Sequence, residues 1–187
     1  DPEFDGDPAM ITEEEIDALT TSVDLFATLA DIFDVTTRQK THGRSLRPLI
    51  EDTAKSIRDH ALIGVWGREV HITDGRWKYA RAPIAKNEPL AMLSNRWSTM
   101  PTHVLKREQE LPLPDDRATL GRMPGSNVPV IKQVWDASDA VPFWAWTKFT
   151  GHHLFDTAND PAEDENRIGG ADEKRMTDML RAALREV

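Results

Sequence analysis

The sequence contains no cysteine. This absence excludes disulfide bonds, thiolate metal ligands and a cysteine nucleophile, and it leaves the redox compartment undetermined. Basic residues are also scarce, with 23 Lys and Arg against 32 Asp and Glu, which gives a net charge of -9. Because nucleic-acid binding needs a cationic face, we expect no nucleic-acid partner. No run of about 18 apolar residues occurs, so the sequence predicts no membrane span.

The composition is that of a globular chain with one hydrophobic core, since 39% of the 187 residues are hydrophobic and 29% are charged. Residues 1–10 have no periodicity and no signal-peptide core, and they look like a cloning linker. We therefore expect a single domain over residues 11–187. Within it, residues 83–150 hold eight of the twelve prolines and predict an insertion.

The clearest predicted helix covers residues 21–35. Its apolar side chains form two neighbouring rows at helical spacing, so the apolar stripe is wide and is expected to need burial on two sides. Asp24 lies inside this stripe. We interpret it as a first-turn carboxylate that bonds the backbone near Thr21, and not as a catalytic acid.

A small antiparallel sheet is predicted from residues 61–66 and 69–82. The second segment reads as a hairpin with Asp74-Gly75 as its two-residue turn. That register puts Val70, Ile72, Trp77 and Tyr79 on one apolar face and makes His71 and Lys78 solvated neighbours. Residues 171–187 predict an amphipathic helix that covers the sheet, with its apolar side formed by Met176, Leu180, Ala183, Leu184 and Val187.

The segment 154–166, LFDTANDPAEDEN, predicts a corner between a strand and a helix. Asp160 is placed as the helix N-cap, Pro161 as the first helical residue and Glu163 as the residue that reaches back to Asp160 in a capping box. The acids at 163–165 also suggest a cation site, but the cap accounts for them. We assign no metal ligand here.

Other residue pairs also fail to predict a site. Ser45 and His42 lack an orienting acid and the G-x-S-x-G pattern of serine hydrolases. His152 and His153 are adjacent in a strand, so they point to opposite sides.

In the insertion we expect helical stretches in 92–110, a loop at 121–130 and aromatic side chains at 135–149 that pack on the sheet. We therefore assign no catalytic, cofactor-binding or metal residue.

Four segments resemble, in the same order, motifs of sulfatases, which belong to the alkaline phosphatase superfamily. Residues 23–29 are similar to "S-x-x-D-L-x-P-T-L-L-x-L-A-G", with Ala27 in place of proline. Residues 41–50 resemble "x-D-G-x-S-L-L-P-L-L", with His42 in place of the acid. TDGRWKY resembles "T-D-G-x-x-K-Y", and residues 154–166 resemble "L-Y-D-L-x-x-D-P-x-E-x-x-N-L", with Phe155 in place of tyrosine.

The resemblance implies the smaller C-terminal subdomain of such an enzyme. Its expected fold is α+β, with an antiparallel sheet of about four strands packed against a C-terminal helix, an N-terminal helix and the long insertion. In sulfatases the formylglycine of "C/S-x-P-x-R" and the ligands of calcium or magnesium precede the segment that matches Val23. This chain therefore carries none of these cofactors, and its implied partner is the missing N-terminal catalytic domain.

Three interpretations remain open. The first is a C-terminal fragment of a sulfatase-type hydrolase that is inactive by itself. The second is a non-catalytic binding or oligomerisation module derived from a sulfatase tail, and the third is the corresponding part of a phosphodiester or phosphonate hydrolase. Because the predicted helix at 21–35 has a wide apolar stripe, we also expect the isolated chain to form a homo-oligomer.

Overall fold

A computed structural model describes residues 17–38, 41–64, 67–83, 89–96, 113–136, 138–139 and 151–186. The predicted linker at 1–10, the aromatic residues at 143–149 and Val187 lie outside these ranges. The elements are α1 (Asp24–Ile32), α2 (Arg47–Ile50), β1 (Ala61–Gly64), β2 (Val70–Thr73), β3 (Trp77–Arg81), β4 (Leu90–Ser94), β5 (Thr119–Arg122), β6 (Pro129–Trp135), β7 (His153–Asp156) and α3 (Asp172–Glu186).

The main layer is a four-stranded antiparallel sheet in the order β1-β2-β3-β7, with α3 packed on one face. Alternate residues along the strands point to one face of the sheet and supply one side of the core. Residues of α3 that are three or four positions apart supply the other side. Each large apolar side chain buried in this way stabilises the fold by about 1.5–3 kcal/mol. The antiparallel sheet with a helix packed on it confirms the predicted α+β class. The core consists of Ile72, Tyr79, Leu154, Met176, Leu180 and Ala183.

The predicted register of the β2–β3 hairpin is wrong by two residues. Ile72 lies opposite Tyr79, and the central residues of the turn are Gly75 and Arg76. The cause is the Asp74 carboxylate, whose Oδ1 accepts hydrogen bonds from the amides of Arg76 at 3.0 Å and Trp77 at 2.6 Å. Because the shift is even, the apolar and polar faces of the hairpin stay as predicted.

The insertion forms a second antiparallel sheet, in the order β4-β6-β5, which the sequence did not predict. The predicted helix at 92–110 is wrong where it overlaps β4, and its residues 97–110 lie outside the described ranges. The predicted loop at 121–130 is the turn between β5 and β6, with its ends paired as strands. Trp135 is 1% exposed and lies opposite Leu90 in this sheet.

Among the described residues, no helix has the length and apolar character required to cross a membrane. The predicted C-terminal helix is confirmed as α3, whose first turn carries Asp172 and Glu173. Acidic side chains in the first turn complement the positive end of the helix dipole. Leu184, which was placed on the apolar side, is 50% exposed.

The hairpin turn predicts a backbone effect at Gly75, whose φ is +94°. Changing Gly75 to Val should lower the free energy of unfolding by about 1–3 kcal/mol, because a β-branched residue resists positive φ. A Cβ at Gly75 meets Leu19 at no less than 3.8 Å, so this cost comes from the backbone and not from a clash.

Gly121 in β5 supplies a matched control. A Cβ at Gly121 meets nothing within 4 Å, so Gly121→Val should change stability by less than about 0.5 kcal/mol. Urea denaturation of both variants makes the comparison. Equal stabilities of the two variants would contradict the turn described here.

Candidate functional site

The helix α1 buries polar side chains and exposes apolar ones. Its buried residues are Asp24 and Thr28. The exposed side chains on and just after the helix are Leu25, Phe26, Leu29 and Ile32, which are 52–59% exposed, and Phe33, which is 72% exposed. We call these five residues the apolar face of α1. A contiguous exposed patch of this kind marks an interaction surface, so this face is the candidate functional site.

Asp24 anchors α1 from the inside and is fully buried. Its Oδ2 accepts hydrogen bonds from the Thr21 amide at 2.7 Å and the Thr21 hydroxyl at 3.2 Å. Its Oδ1 accepts from the Arg44 amide at 2.8 Å and pairs with the Arg58 guanidinium. The predicted bonding of Asp24 to the backbone at Thr21 is confirmed. The Arg58 partner, 34 positions away, had no local signal in the sequence.

The surroundings of Asp24 keep it ionised. Burial raises the pKa of its carboxyl group, but the hydrogen bonds from the Arg44 and Thr21 amides and the charge of Arg58 outweigh that effect, and the net pKa is lowered. A buried carboxylate costs free energy unless donors surround it. Here four donors do so, and Asp24 acts as a structural anchor.

The segment 41–46 packs directly on the first turn of α1. The Thr28 hydroxyl donates to the Asp24 carbonyl at 2.7 Å and accepts from the Leu46 amide at 2.9 Å. A Cβ at Gly43 would lie 2.2 Å from the Val23 carbonyl oxygen, so only glycine fits this approach. Polar contacts therefore hold the inner side of α1, and the apolar face of α1 points outward. The expected burial of its stripe on two sides is not met in the structure.

The segment 154–166 forms a corner, but the predicted helix after Asp160 is wrong. With no helix after it, Asp160 is not a helix N-cap. Its two carboxylate oxygens instead close a loop by accepting from the amides of Asp164 at 3.1 Å and Glu165 at 2.8 Å. Glu163, however, has a φ of +59°, and this left-handed conformation interrupts any helix. The helix begins only at Asp172.

The charged side chains that tie this corner to the sheet have defined partners. Asp156 makes a two-bond ion pair with Arg76, at 3.0 and 2.8 Å. Both carboxylate oxygens of Glu163 lie 2.8 Å from the Lys78 ammonium. These pairs tie the corner to the β2–β3 hairpin.

Asn166 completes the corner by covering the outer edge of β7. Its Oδ1 accepts from the Leu154 amide at 3.0 Å, and its Nδ2 donates to the His152 carbonyl at 3.2 Å. The Arg167 amide donates to the Leu154 carbonyl at 2.7 Å. Since an uncovered edge strand invites pairing with other chains, these bonds protect the sheet.

The structure does not bring the other sequence candidates together. The Ser45 hydroxyl donates to Asp31 at 2.6 Å and accepts from the Arg47 amide at 3.2 Å, so it links α1 to the turn before α2. His152 accepts from the Ala82 amide at 3.1 Å, whereas His153 stacks on Phe155 at 5.9 Å.

His71 is also used locally. Its Nε2 lies 3.5 Å from Glu69, burial lowers the pKa of its imidazole, and it pairs across the strands with Ala80 and not with Lys78. In the described part of the chain, no group of three or more His, Asp or Glu side chains is placed to hold a metal ion.

Comparison with known proteins finds similarity only at a distance, among solved structures. No protein-family model matches the sequence, and no curated protein matches it. A solved structure of a sulfatase from the core genetic locus for metabolism of multiple glycosaminoglycans in Bacteroides thetaiotaomicron is similar at 14% identity, with a TM-score of 0.43. The similarity covers 86% of this chain and 24% of that sulfatase, so this chain spans about a quarter of its length. Similarity at this level does not assign the chain to a family.

The ion pair of the corner predicts a pH effect. The hydrogen bonds from Arg76 lower the pKa of Asp156 from 3.8 to about 2. Because the folded-state pKa lies below the unfolded one, the stability that this pair contributes is present above pH 3.8 and is lost as the pH falls towards 2. Asp156→Asn should lower stability at pH 7 and flatten the decline of stability between these two pH values.

Asp116→Asn is the charge-matched control, since Asp116 is exposed. Chemical denaturation at a series of pH values measures both variants. An Asp156→Asn variant whose stability declines with acid as steeply as that of the unchanged chain would show that the pair contributes nothing.

The corner also predicts weak cation binding. The oxygens of Asp160 are occupied by backbone amides and those of Glu163 by Lys78, so calorimetry with calcium or magnesium should show no micromolar affinity. Micromolar binding that disappears in an Asp160→Ala, Glu163→Ala double variant would refute this interpretation of the corner.

Proposed function

We propose that this chain is the C-terminal part of a sulfatase-type hydrolase and that the catalytic part of that enzyme packs on the apolar face of α1. The main observation in support of this proposal is the exposed apolar face of α1. A nine-residue helix held from inside by Asp24 and Thr28, with its large apolar side chains outward, is the arrangement of a helix whose partner is another folded unit.

The positions that match the sulfatase motifs support this proposal, because they build the fold of this chain. Asp24, Thr28 and Gly43 hold α1 to the segment 41–46. Asp156, Asp160, Glu163 and Asn166 build the corner through ion pairs and backbone bonds. The matching residues therefore have structural roles, as expected for the part of an enzyme that supports a catalytic domain without supplying its chemistry.

The chemistry would be supplied by the rest of the enzyme. Hydrolysis of a sulfate ester requires a nucleophile and groups that stabilise charge on the transferred sulfuryl group. In the proposed parent these are a formylglycine and a calcium or magnesium ion. Hydrolysis of phosphodiesters or phosphonates is the related alternative, because the residues that discriminate these substrates lie in the same catalytic part.

A non-catalytic oligomerisation module is the second candidate. The apolar face of α1 is also suited to pairing with a second copy, since a two-fold contact is the commonest closed arrangement. The same face thus serves either an intramolecular partner or another chain.

The coding sequence upstream of the codon for Ile11 tests the proposal. An open reading frame that is continuous with this codon and encodes a "C/S-x-P-x-R" motif would support the hydrolase and exclude the independent module. If an in-frame stop codon instead closes the reading frame upstream of the Ile11 codon before any such motif is encoded, the hydrolase proposal is overturned.

A double substitution tests the role of the apolar face. Phe26→Glu with Leu29→Glu should abolish self-association and reduce binding of a hydrophobic dye, without lowering the melting temperature of the isolated chain at concentrations where the unchanged chain is a monomer. The physical reason is that these side chains are 56% and 55% exposed and contribute little to the core. Sedimentation velocity and thermal denaturation give the two measurements.

Leu180→Glu is the control for a buried site, because Leu180 is 1% exposed and its replacement by a charged residue should unfold the chain. A melting temperature lowered as much by the α1 double variant as by Leu180→Glu would mean that the face is covered within this chain. In the whole parent enzyme the same double variant should instead lower stability, which separates intramolecular packing from pairing of copies.

A further inference from the structure

His71 lies in β2 on the face of the four-stranded sheet that α3 does not cover, because its neighbour Ile72 points into the core with α3. Its side chain is nevertheless only 20% exposed. In the sheet it is flanked by Ile63 of β1 and by Ala80 of β3, and Ala80 is 4% exposed. The imidazole therefore lies in surroundings that are largely shielded from water.

The two nitrogens of this ring have different surroundings. Nε2 of His71 lies 3.5 Å from Oε1 of Glu69. Nδ1 is buried and has no hydrogen-bond partner in the described part of the chain. A neutral imidazole carries one N–H donor, and an ionised carboxylate can only accept. The geometry therefore favours the neutral tautomer that carries its proton on Nε2 and leaves Nδ1 bare.

Protonation of this ring would place a second N–H at Nδ1. That donor would be buried without an acceptor, which costs free energy because no water replaces the missing partner. Burial accordingly lowers the pKa of the His71 imidazole from its ordinary value of 6.5, and the charge of Lys78 in β3 also lowers it. The folded chain therefore holds His71 neutral at pH 7.

Two carboxylates near the ring act in the opposite sense. Glu69 and Glu163 both raise the pKa of His71, but the net pKa is still lowered. Glu69 also pairs with the Arg68 guanidinium at 3.3 Å, and both oxygens of Glu163 lie 2.8 Å from the Lys78 ammonium. The charges of these two carboxylates are thus already balanced by other cations.

His153, in β7, is a further titratable group on this face of the sheet. Ala80 lies between His153 and His71 in the strand pairing, so two strand spacings, about 10 Å, separate their backbones. At such a distance salt screens the interaction between exposed charges. The groups that govern the protonation of His71 are therefore Glu69, Lys78 and Glu163.

We propose that His71 is an acid-sensitive switch in the sheet: the neutral ring keeps the β2–β3 hairpin closed against the corner 154–166, and the protonated ring loosens that junction. Two effects of the same proton act together, because the new donor at Nδ1 drives the ring towards water and its positive charge competes with Lys78 for Glu163. All these residues belong to this chain, so the switch is independent of the hydrolase proposed above.

The direction of the pH effect follows from the lowered pKa. Since the folded-state pKa of His71 lies below the unfolded one, the stability that the neutral ring contributes is complete above pH 6.5. It is lost as the pH falls from 6.5 towards the folded-state pKa. Acid therefore opens the switch.

Titration of the imidazole signals in ¹H–¹⁵N NMR spectra of the whole chain tests the state of the ring. We expect the ¹⁵N shifts of His71 at pH 7 to show a proton on Nε2 and none on Nδ1, and we expect a titration midpoint below the ordinary value of 6.5. A midpoint at or above that value, or a neutral ring with its proton on Nδ1, would overturn the proposal.

His71→Gln tests the effect on stability, because the glutamine amide can still donate to Glu69 but cannot take up a proton. The urea midpoint of the unchanged chain should fall between pH 7 and about pH 5, a range in which most Asp and Glu side chains remain ionised. In His71→Gln this fall should be smaller. His42→Gln is the matched control, since His42 is exposed, and it should keep the full decline. Equal declines in the two variants would contradict the switch.

Hydrogen exchange of the unchanged chain locates the loosening. The Arg167 amide, which donates to the Leu154 carbonyl at 2.7 Å, reports on the corner, and the Met123 amide, which donates to the Val128 carbonyl at 2.8 Å, reports on the second sheet. Between pH 7 and about pH 5 the protection factor of the Arg167 amide should fall by more than that of the Met123 amide. An equal fall at both amides would overturn the proposal, even if His71→Gln does not fold.

Discussion

The structure depends on the buried Asp24 carboxylate. It joins three segments that are remote in the sequence: the start of α1, the backbone at Arg44 and the Arg58 side chain before β1. Removing one partner from a buried ion pair typically costs about 3–5 kcal/mol, because the other charge is left uncompensated. The position and direction of α1 therefore depend on polar contacts, and its apolar side chains are left free for another partner.

Two regions of the chain are therefore stabilised by different interactions. The four-stranded sheet and α3 form a conventional hydrophobic core, in which Ile72, Tyr79 and Leu154 meet Met176 and Leu180. The α1 region is held instead by hydrogen bonds and charge. A helix that is attached through its polar side can present a large apolar surface without losing its place, which is what a docking face requires.

The corner at 154–166 shows how a sequence signature is turned into structure. Its acids look like metal ligands when they are read along the chain, but in the fold each acid that the corner uses already has a partner. Asp156 faces Arg76 from the hairpin, Glu163 faces Lys78 from the same hairpin, and Asp160 closes its own loop. A motif of this kind supports the proposed hydrolase by building its scaffold.

The sequence by itself determined the elements whose signals are local. The period of α3, the alternation in the hairpin and the bonding of Asp24 near Thr21 were all predicted, because each depends on residues a few positions apart. The remaining features depend on the tertiary structure, in which contacts join residues that are distant in the sequence. The hairpin register depends on which amides the Asp74 carboxylate accepts from, and the end of the corner depends on the left-handed Glu163. The outward direction of the apolar face of α1 follows from contacts of Asp24 and Thr28 with residues 18 to 34 positions away, and no local pattern encodes such contacts.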